Sequence, residues 1–258
     1  MSSALVRLLG WPMPLFHFDT SVLDRWLWLR RRLPRSDGSN LLIDIGCGSG
    51  AFTIGVALRG YQALGLSWDV RNQSVAAERA RLCKANSASF QIQDIRELHF
   101  REELMGKFDV AICFEAIEHI IDDNKLMRDI ARCLKPGGRL LLTTPNFDMR
   151  PLDPDHAGPF PTIEDGGHVR KGYTPEGLKT LCQQAGLGVD AISYCTGFVS
   201  QSIIRLFIVA KRIHPLLAWF AIHPFRIFPP LLDSWVTKKI HYPYYSICLE
   251  AHKDIQKG

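Results

Sequence analysis

The run Leu41-Leu42-Ile43-Asp44-Ile45-Gly46-Cys47-Gly48-Ser49-Gly50 sets the reading of this chain. An apolar segment of strand length, broken only by Asp44, ends in three glycines at alternate positions. Such a segment, closed by glycine, reads as a buried parallel strand. The glycines permit a tight turn and close approach of backbone to a ligand. The helix that follows presents its first N–H groups to the same place. Dinucleotide-binding enzymes use a similar turn, so the loop alone is not specific. Asp44 shifts the balance: a carboxylate just before the glycines repels a pyrophosphate but can hold the ammonium end of a ligand bearing an amino acid.

Outward from this loop, short apolar runs alternate with helical patterns. Strands are expected at Leu41–Ile45, Ala63–Leu66, Ser89–Ile92, Asp109–Cys113 and Arg139–Thr143, with helices at Ala51–Arg59, Val70–Ala85 and Asp122–Leu134. Thr174-Pro175-Glu176 opens a further helix to about Ala185, with proline in its first turn. Late strands fall near Val189–Tyr194 and Tyr244–Ala251. This order predicts an α/β fold with a mostly parallel, seven-stranded open sheet and helices on both faces. Before it, residues 1–36 form an N-terminal helical segment: Val22, Leu23, Trp26, Leu27, Leu29 and Leu33 recur at helical spacing, with Asp19 or Thr20 as cap. Residues 37–258 form the main domain. About 197–240 breaks the pattern and reads as an apolar insertion between the last two strands.

The 258 residues suffice for one sizeable α/β domain. With 47% hydrophobic and 22% charged residues the chain is globular. A net charge of +5 permits an acidic partner or an anionic membrane surface without demanding one. Seven scattered cysteines with no C-x-x-C pair argue against a disulfide framework or thiolate zinc site, and fit reduced thiols in the cytoplasm. Pro12 and Pro14 interrupt the N-terminus early, and no secretory signal is read there.

Taken together, the motifs resemble those of class I S-adenosylmethionine (SAM)-dependent methyltransferases, which have a Rossmann-like fold. Leu41 to Gly50 is similar to that family's signature loop. Gln93-Asp94-Ile95 follows the third strand, where the family places an acid on the adenine amino group. Phe108 to Glu115 resembles the fourth strand, and Lys135-Pro136-Gly137-Gly138 with Leu140 to Asn146 resembles the turn and fifth strand. The resemblance runs from about Asn40 to Ala185. It implies SAM as cofactor, held by Asp44, Gly46, Cys47, Gly48, Gly50, Asp94, Ile95 and Glu115. One departure stands out. The family carries an acid at the end of the second strand for the ribose hydroxyls, where this chain has Ser67. Either Ser67 and Asp69 share the ribose, or Trp68 stacks on adenine and the ribose is held more loosely.

Glu115, Glu118 and His119 would share one face if they opened a helix. Two carboxylates and an imidazole suit a divalent cation, and His168 could supply a fourth ligand. Two families use a similar set: ubiquinone-biosynthesis O-methyltransferases and small-RNA 2′-O-methyltransferases. By resemblance the ligands are Glu115, Glu118, His119 and His168, holding magnesium or zinc. Related methyltransferases also keep a Glu-His here without metal. In that case His119 or His168 is a candidate general base.

SAM is already a strong methyl donor, so alignment of acceptor, methyl and sulfur is the chief requirement. A bound cation would help an acceptor hydroxyl lose its proton, and this points to an oxygen of a small or lipid-linked acceptor. The insertion mixes Trp, Phe and Leu with Arg205, Lys211, Arg212, Arg226, Lys238 and Lys239. Its charges and prolines recur too often for a spanning helix. That composition suits a peripheral membrane segment, and equally a buried lid or dimer contact. Arg30, Arg31, Arg32 and Arg35 could bind RNA, but no RNA-binding motif accompanies them, and nucleic acid is not the expected partner. The rival functions are a metal-dependent RNA 2′-O-methyltransferase and an inert, membrane-associated protein of the same fold.

Overall fold

The computed structural model describes residues 6–8, 10–15, 20–152 and 157–255. Seven strands form one sheet: β1 (Leu41–Ile45), β2 (Gln62–Ser67), β3 (Ala88–Ile92), β4 (Phe108–Phe114), β5 (Leu134–Pro145), β6 (Leu187–Cys195) and β7 (Ser246–Lys253). Their order is β3-β2-β1-β4-β5-β7-β6. The pairings from β3 to β5 are parallel, while β7 runs antiparallel to both β5 and β6. The expected seven-stranded, mostly parallel sheet is therefore present.

The principal helices are α1 (Ser21–Arg32), α2 (Ala51–Ala57), α3 (Val70–Leu82), α4 (Asp123–Cys133), α5 (Pro175–Gln184), α6 (Phe198–Ala210), α7 (Pro215–Ile222) and α8 (Pro229–Lys239). Successive side chains of a strand point to opposite faces, and this sorts the core into two layers. Ile43, Ala111, Cys113, Leu140 and Leu142 pack with Met127 of α4 and Leu178 of α5. Leu42, Val110, Ile112 and Leu141 pack on the other face with Ile54 of α2 and Trp26, Trp28 and Leu29 of α1. The N-terminal helix thus shares a core with the sheet. Trp28 Nε1 donates to Ser193 Oγ of β6 at 2.9 Å, and Arg32 pairs with Glu250 of β7 at 2.5 Å.

Element ends differ from expectation for local reasons. The expected cap Asp19 lies outside the described residues. Thr20 stands at the start of α1, but its hydroxyl donates to the Ser200 carbonyl of α6 at 3.2 Å and caps nothing. Thr174 does cap α5, accepting from the Gly177 amide at 3.1 Å, with Pro175 at the first helical position. Lys135 to Gly138, read as a turn, is already part of β5, with a register irregularity opposite Phe108–Val110. The insertion lies between β6 and β7 as three helices, α6 to α8. Pro215 and Pro229 each start a helix, where a missing N–H costs least.

Candidate active site

The strand order reverses between β1 and β4, and a crevice opens at the carboxyl ends of strands flanking such a switch point. A cavity of about 390 Å³ lies there, within the size range of small-ligand sites. Of the residues expected to bind cofactor, Gly46, Gly48, Ser67, Trp68, Asp69, Asp94, Ile95 and Glu115 line it. Asp44, Cys47 and Gly50 do not line it.

The glycine loop shows why. Gly46 has φ +81° and sits so close to the end of β4 that a Cβ would lie 2.7 Å from Ala116 Cβ. Gly48, at φ +51°, faces open space at the cavity wall. Gly50 faces inward, where a Cβ would meet Ala76 and Phe90 within 2.8 Å. Cys47 is buried, and burial holds its thiol well above the ordinary range, so it packs as a small apolar group.

Asp44 corrects the sequence reading in the same way. Its side chain is buried beneath the loop and accepts from Thr53 Oγ1 at 2.6 Å. It braces the loop from behind and does not line the cavity. Burial raises its carboxyl to about 7, only partly offset by the Thr53 hydrogen bonds. The folded protein therefore holds a proton on Asp44 that the unfolded chain releases near pH 4. Stability contributed by this group is present at low pH and is lost as pH rises towards 7. Asp44→Asn keeps an acceptor for Thr53 and removes the charge. It is expected to flatten that slope, gaining about 4 kcal/mol over the native chain at pH 8 relative to pH 4. Urea midpoints of both proteins at the two pH values check this; identical slopes would refute it.

At the carboxyl end of β2, Asp69 Oδ1 accepts the amides of Arg71 and Asn72 at 2.8 and 3.1 Å and so caps α3. Ser67 is buried at the end of β2, while Trp68 is 65% exposed on the cavity wall. Asp94 already accepts from Arg96, whose Nε lies 2.9 Å from each carboxylate oxygen. Those bonds hold the Asp94 carboxyl below its ordinary value. Arg96 also reaches Glu164 at 2.8 Å.

The metal expectation needs a larger correction. Residues 115–119 do not open an α-helix. Glu115 takes a left-handed backbone, φ +48°, and Ile117–His119 form a single 3₁₀ turn. The Glu115 side chain is held by α1 and β7. Its carboxylate pairs with Arg25 of α1 at 3.0 Å and accepts from Ser246 Oγ at 3.2 Å. It is not in the candidate metal cluster. Glu118, His119 and His168 do come together, with their ligand atoms within 4.8 Å of one another.

Within that cluster Glu118 is fully buried. Oε2 accepts from Thr144 at 3.1 Å, whereas Oε1 has no hydrogen-bond donor and lies 4.0 Å from His119 Nε2. Burial, and then the nearby Glu115 carboxylate, hold the Glu118 carboxyl well above its ordinary range. His119 Nδ1 lies 2.9 Å from the Gly167 carbonyl. A carbonyl can only accept, so Nδ1 carries the proton and a neutral ring leaves Nε2 as an acceptor. A buried carboxylate oxygen without a donor, beside an imidazole held in the ligating tautomer, fits a cation.

Several lining residues had no strong sequence signal. Asn72 and Arg96 stand close after Asp69 and Asp94 and could have been sought there. Glu164, Asp165 and Gly166 come from the long segment between β5 and α5, pinned over the cavity by Arg96 and by the Ile121 amide. Arg25 is reached only through the packing of α1.

Comparison with known proteins agrees with this geometry. A family profile described as "Methyltransferase domain" matches residues 17–192. A ubiquinone biosynthesis O-methyltransferase of Pseudomonas aeruginosa is 33% identical over 155 residues, covering 58% of this chain and 66% of that protein. One from Leptothrix cholodnii is 28% identical over 119 residues, covering 46% of this chain and 49% of its own length. The match thus spans less than two thirds of these relatives. Among solved structures, phosphoethanolamine N-methyltransferase 2 of Haemonchus contortus, in complex with SAM, superposes with a TM-score of 0.62 at 19% identity. That superposition covers 89% of this chain and 52% of the other, a likeness of fold. The chain belongs to the methyltransferase-domain family, among the class I SAM-dependent methyltransferases.

Proposed function

We propose that this protein transfers the methyl group of SAM to an oxygen of a small or lipid-linked acceptor, assisted by a divalent cation. The observation that carries the reading is the Glu118–His119–His168 cluster, with His119 on the cavity wall. The open face of Gly48 and the exposed Trp68 suit the methionine and adenine ends of SAM, with Ser67 and Asp69 near the ribose. Glu118, His119 and His168 would hold magnesium or zinc. A cation there lowers the pKa of an acceptor hydroxyl.

The chain's own residues align the reactants and shield them. The segment carrying Glu164 to Gly166 closes over the cavity through Arg96. The acceptor oxygen attacks the methyl carbon, the carbon–sulfur bond breaks, and its electrons stay on sulfur in the demethylated product. With the cation removed, His119 Nε2 remains on the wall as a proton acceptor. Chelation is therefore expected to slow turnover about 10–100-fold without abolishing it, and metal add-back to restore it. Unchanged turnover in metal-free protein would end the cation's role. Mass spectrometry placing the new methyl on carbon or nitrogen would overturn the oxygen acceptor. The names of the curated relatives support oxygen as the acceptor atom.

A further inference from the structure

The charge of this chain is concentrated in one place. Between Asp190 and Glu250 stand six of its 31 basic residues and one of its 26 acidic residues, Asp233. That stretch carries a formal +5, the whole excess of the chain, and the remainder balances at 25 of each sign. Asp233 is buried in α8. Its carboxylate accepts the amides of Gly197, Val199 and Ser200 at 2.6, 2.7 and 3.3 Å, closing the start of α6. It offers the surface no negative charge, while Lys211, Arg212, Lys238 and Lys239 are exposed.

The same stretch bears the exposed apolar surface. Eleven of the 22 large apolar side chains exposed among the described residues fall within Leu206–Ile240. Ile213 is 87% exposed, Leu231 75%, Leu217 65%, Phe220 64% and Trp235 63%. Single exposed apolar residues are ordinary, but a cluster of this density is not. Among the described residues no helix is long and apolar enough to cross a membrane. Exposed apolar side chains interleaved along the chain with exposed cations, on short helices, suit lying in a lipid interface.

We propose that α6 to α8 form a docking surface for an anionic lipid bilayer. Charge selects this occupant. A two-fold contact between copies would bring the same patch, with its +5, against itself. RNA would satisfy the cations and stack on Trp235, yet leave Ile213, Leu217 and Leu231 in water. A bilayer with anionic headgroups takes up both.

The helices that bear the surface are rooted at the sheet edge where the cavity opens. The insertion leaves β6 at Cys195 and enters β7 at Ser246, which pair with each other. Ser246 also pairs with Pro145 at the carboxyl end of β5. Gly46 and Glu115 lie at this same sheet edge, and Ser246 Oγ donates to the cavity-lining Glu115 at 3.2 Å. A lipid-linked acceptor would thus reach the cavity from the bilayer; this last step rests on the acceptor class proposed above.

The test is sedimentation of the full chain with vesicles of phosphatidylcholine, with or without about one third phosphatidylglycerol. Co-sedimentation with the anionic vesicles, weakening as salt rises, is expected. Each basic residue near such a surface contributes about fivefold to partitioning. The variant Lys211→Gln/Arg212→Gln/Lys238→Gln/Lys239→Gln should lose about that factor per site, and Leu217→Ser/Phe220→Ser should lose binding at every composition. Unchanged SAM titration shows that both variants are folded. Equal recovery in the supernatant with both vesicle types overturns the proposal. So does dimerisation that hides the patch, or RNA binding without vesicle binding. The assay uses neither acceptor nor turnover, so its failure and that of the methyl-transfer reading are separable.

Discussion

Gly46→Ala is expected to abolish measurable SAM binding and to destabilise the fold. Two costs coincide at this position. The residue sits at φ +81°, where a Cβ costs about 1–2 kcal/mol. That Cβ would also lie 2.7 Å from Ala116 Cβ, far inside the roughly 3.5–4.0 Å at which carbon atoms pack. Neither partner is a flexible side-chain end, so the loop after β1 or the end of β4 must move. Both walls of the cavity are formed there. A stability loss of about 2–4 kcal/mol and at least about 100-fold weaker SAM binding follow. Gly48→Ala is the internal control. Its Cβ would enter open space at φ +51°, so stability should fall by only about 1 kcal/mol. Calorimetric titration with SAM, beside urea unfolding, checks both. SAM affinity in Gly46→Ala within a few-fold of native would show that the loop does not cradle the ligand as described.

Arg25→Ala is expected to cost about 3 kcal/mol. Its guanidinium is nearly buried and pairs with Glu115 at 3.0 Å. Removing it leaves a partly buried carboxylate that keeps the hydrogen bond from the Ser246 hydroxyl but has lost its cation. The effect should also reach the proposed cation site. Arg25 lowers, and Glu115 raises, the already elevated carboxyl of Glu118. Without Arg25, Glu118 holds its proton more firmly and would bind a cation less well at a given pH. The double variant Arg25→Ala/Glu115→Gln removes both charges and should recover part of the loss. A double-mutant cycle on urea midpoints measures the coupling. Strict additivity would mean that the pair contributes nothing beyond its separate side chains.

These two cases show how far the sequence carries the site. Gly46 and Gly48 were legible because a glycine pattern after a strand has one common geometric meaning. Asp44 was legible as an important carboxylate but not in its role, since strand alternation buries it towards Thr53 rather than the cavity. Glu115 was misread as a ligand because the spacing assumed helical φ/ψ, and a single left-handed residue redirected its side chain. Arg25 carried no signal. It stands on a helix face whose partner lies 90 residues away along the chain and meets it only after α1 docks on the sheet.

The chain of residues was enough to establish the strand–helix alternation, the mostly parallel sheet, the glycine turn after β1 and an apolar stretch before the last strand. All of these follow from local periodicity and from turn chemistry that short segments carry within themselves. Which carboxylate lines the cavity, which joins His119 and His168, and that Asp233 is withdrawn from the surface depended on contacts between distant segments. Those contacts are set by packing two faces of a sheet at once, and no spacing along a single segment encodes them.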